Sequence, residues 1–117
     1  MPYALRHSVT GELLAGMQAN AYQLPYYGLW LWDDEPDDAL RFDGLMNSGR
    51  YRAFGEGINF KNRHAAEWEQ VLEMGRWKVT LLTEQEAKLG NVKLRNDPAL
   101  RVYLRDGQMV AYPAGSS

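Results

Sequence analysis

Alternating apolar and polar positions open the chain and predict its first strand. The residues on one side of this strand are Tyr3, Leu5, His7 and Val9. A period of two is typical of a strand with one buried face. Thr10-Gly11 then predicts a turn, after which residues 12–17 are expected to return as the second arm of a hairpin.

The run Leu24–Trp32 is rich in aromatic side chains and apolar on both faces of a predicted strand. Pro25 stiffens its start, and an acidic segment follows it. Because side chains alternate along a strand, one face carries Tyr26, Gly28, Trp30 and Trp32. The opposite face carries Tyr27, Leu29 and Leu31.

Two helices and a second hairpin are predicted in the second half of the chain. Asn62 and Gly75 flank a main helix of about 63–74, whose apolar face carries Ala65, Trp68, Val71 and Leu72. Thr83 to Glu86 match a capping box that opens a short helix of about 84–89, ended by Gly90. Asp106-Gly107 predicts a tight turn between strands 100–104 and 108–112. Residues 39–49 are broken by glycine and match no element.

This order of elements predicts an α+β fold. Strands joined by short connections favour a mostly antiparallel sheet built from hairpins, with the main helix (about 63–74) on one face and the short helix (about 84–89). The chain has 117 residues and shows no repeat or linker, so residues 1–117 are predicted to form a single α+β domain.

Composition and charge narrow the function classes. The absence of cysteine excludes disulfides, thiolate metal sites and thiol nucleophiles. A net charge of −2 argues against nucleic acid, which is bound mainly by clustered Lys and Arg. No apolar stretch is long enough for a signal peptide or a membrane span, so we expect a cytoplasmic protein that does not contact a membrane.

Catalytic motifs are almost absent. The sequence has no phosphate-binding glycine loop, no nucleophile elbow and no zinc-protease motif. His7 shares its strand face with Leu5 and Val9, and His64 lies near Trp68 on the main helix. The two are either a general base or a shared metal site, or buried, hydrogen-bonded imidazoles. Two histidines cannot complete a usual zinc shell, which favours the structural interpretation. We expect no metal, no cofactor and no catalytic residues.

The aromatic face leaves three interpretations open. Because the main helix covers only one side of the sheet, the face with Tyr26, Trp30 and Trp32 is a wide core, an interface between copies, or the wall of a ligand pocket. The acidic segment offers a separate site for a basic protein partner, through Asp33, Asp34, Glu35, Asp37 and Asp38. The spacing and the proline of this segment favour a solvated loop over a calcium site.

Three stretches resemble small bacterial proteins carried on the mobile gene cassettes of integrons. They are Thr10-Gly11-Glu12-Leu13, Leu24-Pro25-Tyr26-Tyr27-Gly28 with Trp32, and Asn91 to Pro98. Together they cover about a third of the chain, and their motifs are structural rather than chemical. The resemblance implies a compact bacterial domain, compatible with a homodimer, and carries over no reaction and no site residues.

The function favoured by the sequence is a non-catalytic binding or interaction domain. Its expected partner is a second copy of the chain, bound through the aromatic face at Tyr26, Trp30 and Trp32 together with His7. One alternative is a module that binds a small apolar molecule in an aromatic-lined pocket. Another is an acidic inhibitor or immunity-like protein that binds a basic partner through residues 33–38.

Overall fold

The structure is a computed structural model, which describes residues 1–48 and 71–114. Its strands and helices are β1 (Tyr3–His7), β2 (Ala15–Ala19), β3 (Pro25–Leu29), α1 (Asp38–Asn47), β4 (Trp77–Leu81), α2 (Glu84–Leu94), β5 (Leu100–Arg105) and β6 (Gln108–Pro113). Residues 71–74 are also helical. All three strand pairs are antiparallel: β1 with β4, β2 with β3, and β5 with β6. The predicted α+β class with antiparallel sheets is confirmed.

Backbone hydrogen bonds outside the strands connect the three pairs. Residues 12–14 lie between β1 and β5, since the Leu14 N–H donates to the Leu5 carbonyl and the Leu13 N–H to the Val102 carbonyl, both at 2.9 Å. At the start of β1, Tyr3 and Trp32 exchange two backbone bonds of 2.8 and 3.0 Å. The end of the aromatic run is therefore tied to the first strand.

The first predicted hairpin is only half right. Its turn is present, with Gly11 at φ +82°, a left-handed conformation that suits glycine. Residues 12–14 return beside β1, but residues 15–19 leave it and pair with β3 instead. The reason is competition for an edge, because the Trp32 backbone takes the side of β1 at Tyr3 that a longer hairpin would need.

The two faces of the aromatic run belong to two different apolar clusters, which confirms the predicted alternation. Tyr27 and Leu29 are buried in the first cluster, with Leu31 packed against it. Trp30 and Trp32 pack against the second cluster, whose buried members among the described residues are Leu5, Leu14, Leu45, Met74 and Trp77. The first cluster includes residues of α2, β5 and β6, and the second includes Leu45 of α1.

Side chains that cap their first turns explain where both helices begin. The Asp37 carboxylate accepts the Leu40 N–H at 2.9 Å and starts α1, in a segment to which the sequence assigned no element. The predicted capping box is confirmed at α2, where Thr83 accepts the Glu86 N–H at 3.0 Å and Glu86 accepts the Thr83 N–H at 2.9 Å.

The predicted end of α2 is wrong. The helix passes through Gly90 and continues to Leu94, where Arg95 adopts the left-handed conformation that ends it. Gly90 is buried, and a Cβ atom there would lie 2.8 Å from a Leu29 methyl group. The glycine therefore brings α2 close to β3 rather than stopping the helix.

The predicted main helix is described only at its end. Residues 71–74 are helical and Gly75 follows as predicted, whereas residues 63–70 lie outside the described residues. Val71 and Leu72 are 43% and 55% exposed, so their predicted place on the inward face is wrong. Met74 is the buried residue of this turn instead.

Candidate ligand-binding site

One opening lies between α1, β1 and the segment 74–78, and is called here the α1 hollow. Its volume is about 310 Å³. Four of its lining residues are buried members of the second cluster, Leu5, Leu45, Met74 and Trp77. Because these side chains are apolar, the floor of the hollow can contact an apolar ligand without leaving polar groups unpaired.

One stripe of α1 forms a wall of this hollow. Asp38, Arg41, Phe42 and Leu45 line it, at the spacing i, i+3, i+4 and i+7 that places side chains on one helix face. Leu45 is buried, Phe42 is 41% exposed, and Arg41 and Asp38 form an ion pair nearer the start of the helix. The wall thus passes from apolar to charged along a single helix.

A second, smaller opening lies on the other side of α1 and is called here the tryptophan hollow. It has a volume of about 120 Å³ and is lined by Trp30, Trp32, Leu40, Asp43, Gly44 and Asn47. The four helix residues again follow the spacing i, i+3, i+4 and i+7. The helix α1 therefore stands as a ridge between two openings.

Gly44 is the point at which α1 meets the tryptophans. A Cβ atom there would lie 2.9 and 3.0 Å from two atoms of the Trp32 ring. The indole N–H of Trp30 donates to the Gly44 carbonyl at 2.6 Å, and the same carbonyl accepts the Ser48 N–H. The structure therefore brings Trp30 and Trp32 together against a helix of their own chain, while leaving both partly exposed.

Tyr26 lies apart from both openings, although the sequence grouped it with the two tryptophans. Its hydroxyl donates to the Gln18 side-chain oxygen across the β2–β3 pair at 3.1 Å. Gln18 in turn donates to the carbonyls of Gly28 and Leu29 at 2.9 and 3.0 Å. Tyr26 is therefore part of a hydrogen-bond network that braces the hairpin.

His7 is 5% exposed and has partners at both ring nitrogens. Its Nδ1 atom faces the backbone N–H groups of Val9 and Thr10 at 3.2 and 3.3 Å, and its Nε2 atom lies 2.9 Å from a Glu73 carboxylate oxygen. The ring also packs edge-on against Trp77, with centroids 5.1 Å apart. With Nδ1 accepting, the Nε2 proton points at Glu73, and the imidazole joins the first turn to the helical residues 71–74.

The acidic segment is not one continuous loop. Asp33, Asp34 and Glu35 are exposed, while Pro36 is buried. Asp37 caps α1, and Asp38 lies in its first turn and bonds to Arg41. Carboxylates at a helix N-terminus interact favourably with the helix dipole, so the end of this segment has a local structural role.

The residues that line the α1 hollow were missed by the sequence. Its clearest signal is the spacing of Asp38, Arg41, Phe42 and Leu45, which the glycines of residues 39–49 obscured. Within residues 1–48 and 71–114, no group of three His, Cys, Asp or Glu residues could hold a metal ion. No helix of those two ranges is both long enough and apolar enough to cross a membrane.

Comparisons with protein-family models, with curated proteins and with solved structures found no match.

Proposed function

We propose that this chain is a non-catalytic binding domain that holds a small molecule in the α1 hollow. The main support for the proposal is that a single opening has apolar residues on its floor and charged residues at its rim. Its volume, about 310 Å³, lies at the lower end of the range of about 300–1,000 Å³ typical of small-molecule sites. A compact ligand with an aromatic or aliphatic body fits this size.

The ion pair on α1 favours a ligand with one polar end. The Arg41 guanidinium and the Asp38 carboxylate lie on the same face as the apolar residues Phe42 and Leu45. A ligand whose apolar body rests on the floor would therefore place its polar end near donors and an acceptor. A few polar groups beside a mainly apolar surface are what orients a ligand in such sites.

The state of His7 supports binding rather than catalysis. It is the only histidine among the described residues, it does not line the hollow, and its two nitrogens already have partners. A general base must reach the proton that it removes, and this imidazole faces Glu73 instead. The residues that do line the hollow suit contact better than proton transfer.

Two other functions remain predictions from the sequence. Self-association through Tyr26, Trp30 and Trp32 is less favoured, since α1 packs on both tryptophans and Tyr26 bonds within its hairpin. For binding of a basic partner through residues 33–38, the exposed acids Asp33, Asp34 and Glu35 are still candidate contacts. The opening beside Trp30 and Trp32, at about 120 Å³, is smaller than the α1 hollow.

Titration of the ¹⁵N-labelled protein with benzoate, benzylamine and benzyl alcohol tests the proposal, because the three probes share one ring and differ in their polar end. We expect saturable shifts of the Phe42, Met74 and Gly75 amides and of the Trp77 indole signal. The probe whose end best suits the Asp38–Arg41 pair should bind most tightly. An absence of saturable shifts for all three probes would contradict a ligand site of this kind.

Phe42→Ala and Leu40→Ala form a matched pair of variants. Both side chains lie on α1 and are similarly exposed, at 41% and 46%, but Phe42 lines the α1 hollow and Leu40 the tryptophan hollow. We expect Phe42→Ala to weaken probe binding by about tenfold, equivalent to about 1.4 kcal/mol of lost contact. Leu40→Ala should leave the affinity unchanged, and equal losses would show that the probe does not distinguish the two sides of α1.

A further inference from the structure

The two edges of the β2–β3 hairpin differ in the hydrogen-bond partners that the described residues offer them. On the β3 edge, the Asn96 side-chain oxygen accepts the Tyr27 N–H at 2.6 Å and the Asn91 oxygen accepts the Leu29 N–H at 2.9 Å. Asparagine side chains thus occupy the hydrogen-bonding positions that a neighbouring strand would use. This edge is closed to further pairing.

The β2 edge has no such closure among the described residues. The bonds from Asn20 N to Leu24 O and from Trp30 N to Leu14 O place residues 14, 16, 18 and 20 toward β3. Residues 17 and 19 therefore direct their backbone groups away from β3, and no group within residues 1–48 and 71–114 bonds to them. Met17 is 50% exposed and Ala19 is also exposed.

The strand β2 and the residues on either side of it along the chain carry no charge. From Leu13 to Trp32 the sequence contains no Asp, Glu, Lys, Arg or His, although 24% of the chain is charged. Proteins usually protect an exposed edge with a charged residue, a proline or a bulge, because unpaired N–H and C=O groups otherwise recruit another strand. The strand β2 has none of these protections, and Tyr22 and Leu24 at the hairpin tip are 83% and 59% exposed.

We propose that two copies of this chain pair through β2, antiparallel about a two-fold axis. With Gln18 opposite Gln18, Met17 lies opposite Ala19 of the second copy at two equivalent positions, and each position forms two backbone hydrogen bonds. In a two-fold interface the same patch meets itself, so a patch with an excess of one charge would repel its copy, and pairing requires that this excess be absent. The charge-free edge meets this requirement, which favours a second copy as the occupant.

This interface differs from the aromatic face considered above. It consists of the backbone edge of β2, with the apolar tip residues Tyr22 and Leu24 beside it, and does not involve Trp30 or Trp32. A pair of short strands buries little surface, so we expect a dimer that forms in the micromolar range and dissociates on dilution. The proposal is independent of the α1 hollow.

Amide hydrogen exchange of the unsubstituted full chain, measured at low and high micromolar concentration, tests the pairing directly. We expect slower exchange at Met17 and Ala19 when the concentration is raised. The Gln18 amide should not change, because it already faces β3 and serves as an internal control. Sedimentation velocity at the same concentrations should show a rise toward the mass of two chains.

Met17→Lys introduces a charge that would face the second copy, and Val92→Lys is its control on an exposed position of α2, at 68% exposure. We expect Met17→Lys to weaken the dimer at least about tenfold, a loss of about 1.4 kcal/mol, and Val92→Lys to leave it unchanged. A chain that stays monomeric at high micromolar concentration overturns the proposal. So does a dimer that forms without protection of Met17 and Ala19, whether or not the lysine variant folds.

Discussion

The two faces of the strand segment from Tyr27 to Trp32 are covered by two helices to different extents. On one face, Tyr27 and Leu29 are 5% and 3% exposed, and the cluster around them contains ten buried residues. On the other, Trp30 and Trp32 stay partly exposed beside a cluster with five buried members among residues 1–48 and 71–114. We call the first the closed face and the second, which is only partly covered by α1, the open face.

A glycine lies at the contact in both helices, yet the outcomes differ. Gly90 of α2 meets the flexible Leu29 side chain, and Gly44 of α1 meets the flat ring of Trp32. A leucine side chain can change its rotamer to fit a helix surface, whereas an indole ring is a rigid plane. The helix α1 therefore rests on its tryptophans as a ridge, with a hollow on each side.

Leucine truncation on the two faces should show the largest difference. Leu29→Ala creates a cavity inside the closed cluster, and we expect it to lower the free energy of unfolding by about 4 kcal/mol. Leu45→Ala enlarges the α1 hollow, which is already open, so its cost should be nearer about 2 kcal/mol, at the low end for such changes. Urea unfolding of both variants provides the measurement.

Leu89→Ala is the control for this pair, since Leu89 lies on α2 but is 44% exposed. Its loss should be below about 1 kcal/mol. Equal costs for Leu29→Ala and Leu45→Ala would mean that the two faces are equally well packed. The distinction between a closed and an open face would then be lost.

The parts of the fold that the sequence predicts well are those fixed by neighbouring residues. The turn at Asp106-Gly107 has φ values of +52° and +77°, and the capping box needs only Thr83 and Glu86. Both act within four residues, so local chemistry determines them. The alternation of the aromatic run is equally local.

Long-range contacts decide what the sequence misses. Gly90 and Gly44 look like helix breakers because their reason, close approach to Leu29 and Trp32, lies far away along the chain. The sequence does not reveal the α1 hollow for the same reason. One wall of the hollow belongs to a helix that the sequence does not predict, and its floor brings together Leu5 and Trp77, which lie far apart along the chain. The sequence places Trp30 and Trp32 on one face, but it does not predict the helix that packs against them.

The polar groups of the two faces offer a second, smaller test. On the closed face, the Tyr27 hydroxyl donates to the Leu100 carbonyl and accepts a bond from Arg101, both at 2.9 Å. Tyr27→Phe loses both bonds, and we expect a cost of about 1.5 kcal/mol. On the open face, Trp30→Phe loses one donor to a carbonyl that keeps Ser48 as a partner, so the lost hydrogen bond should account for about 1 kcal/mol of its cost.

Thermal and urea unfolding of these two variants would compare the two faces a second time, by the stability that their polar contacts contribute. Tyr22→Phe is the control, because its hydroxyl lies on a side chain that is 83% exposed. Its stability should stay within about 0.5 kcal/mol of the parent. If Trp30→Phe lowers the free energy of unfolding clearly more than Tyr27→Phe does, the contact of the Trp30 indole with α1 contributes more to stability than the partial exposure of that face suggests.

Removal of the helix caps should cause the smallest losses of stability. These losses distinguish the two helices by whether each opens locally. Thr83→Ala and Asp37→Ala each remove a side-chain acceptor from a first turn and should each cost about 1 kcal/mol. The losses should differ in kind, because α2 is held along its length by the closed cluster while α1 borders two hollows. Local opening is easiest where few buried contacts hold an element.

Amide exchange separates the two kinds of loss. In Asp37→Ala, the amides of Arg41 and Phe42 should exchange faster than the change in global stability explains, whereas in Thr83→Ala the amides of α2 should follow global unfolding. Asp34→Ala is the matched control, since Asp34 is an exposed acid of the same segment without a capping bond, and it should alter neither quantity. Local fraying of α2 after Thr83→Ala would contradict this prediction, because the helix on the closed face would then depend on its cap more than on its packing.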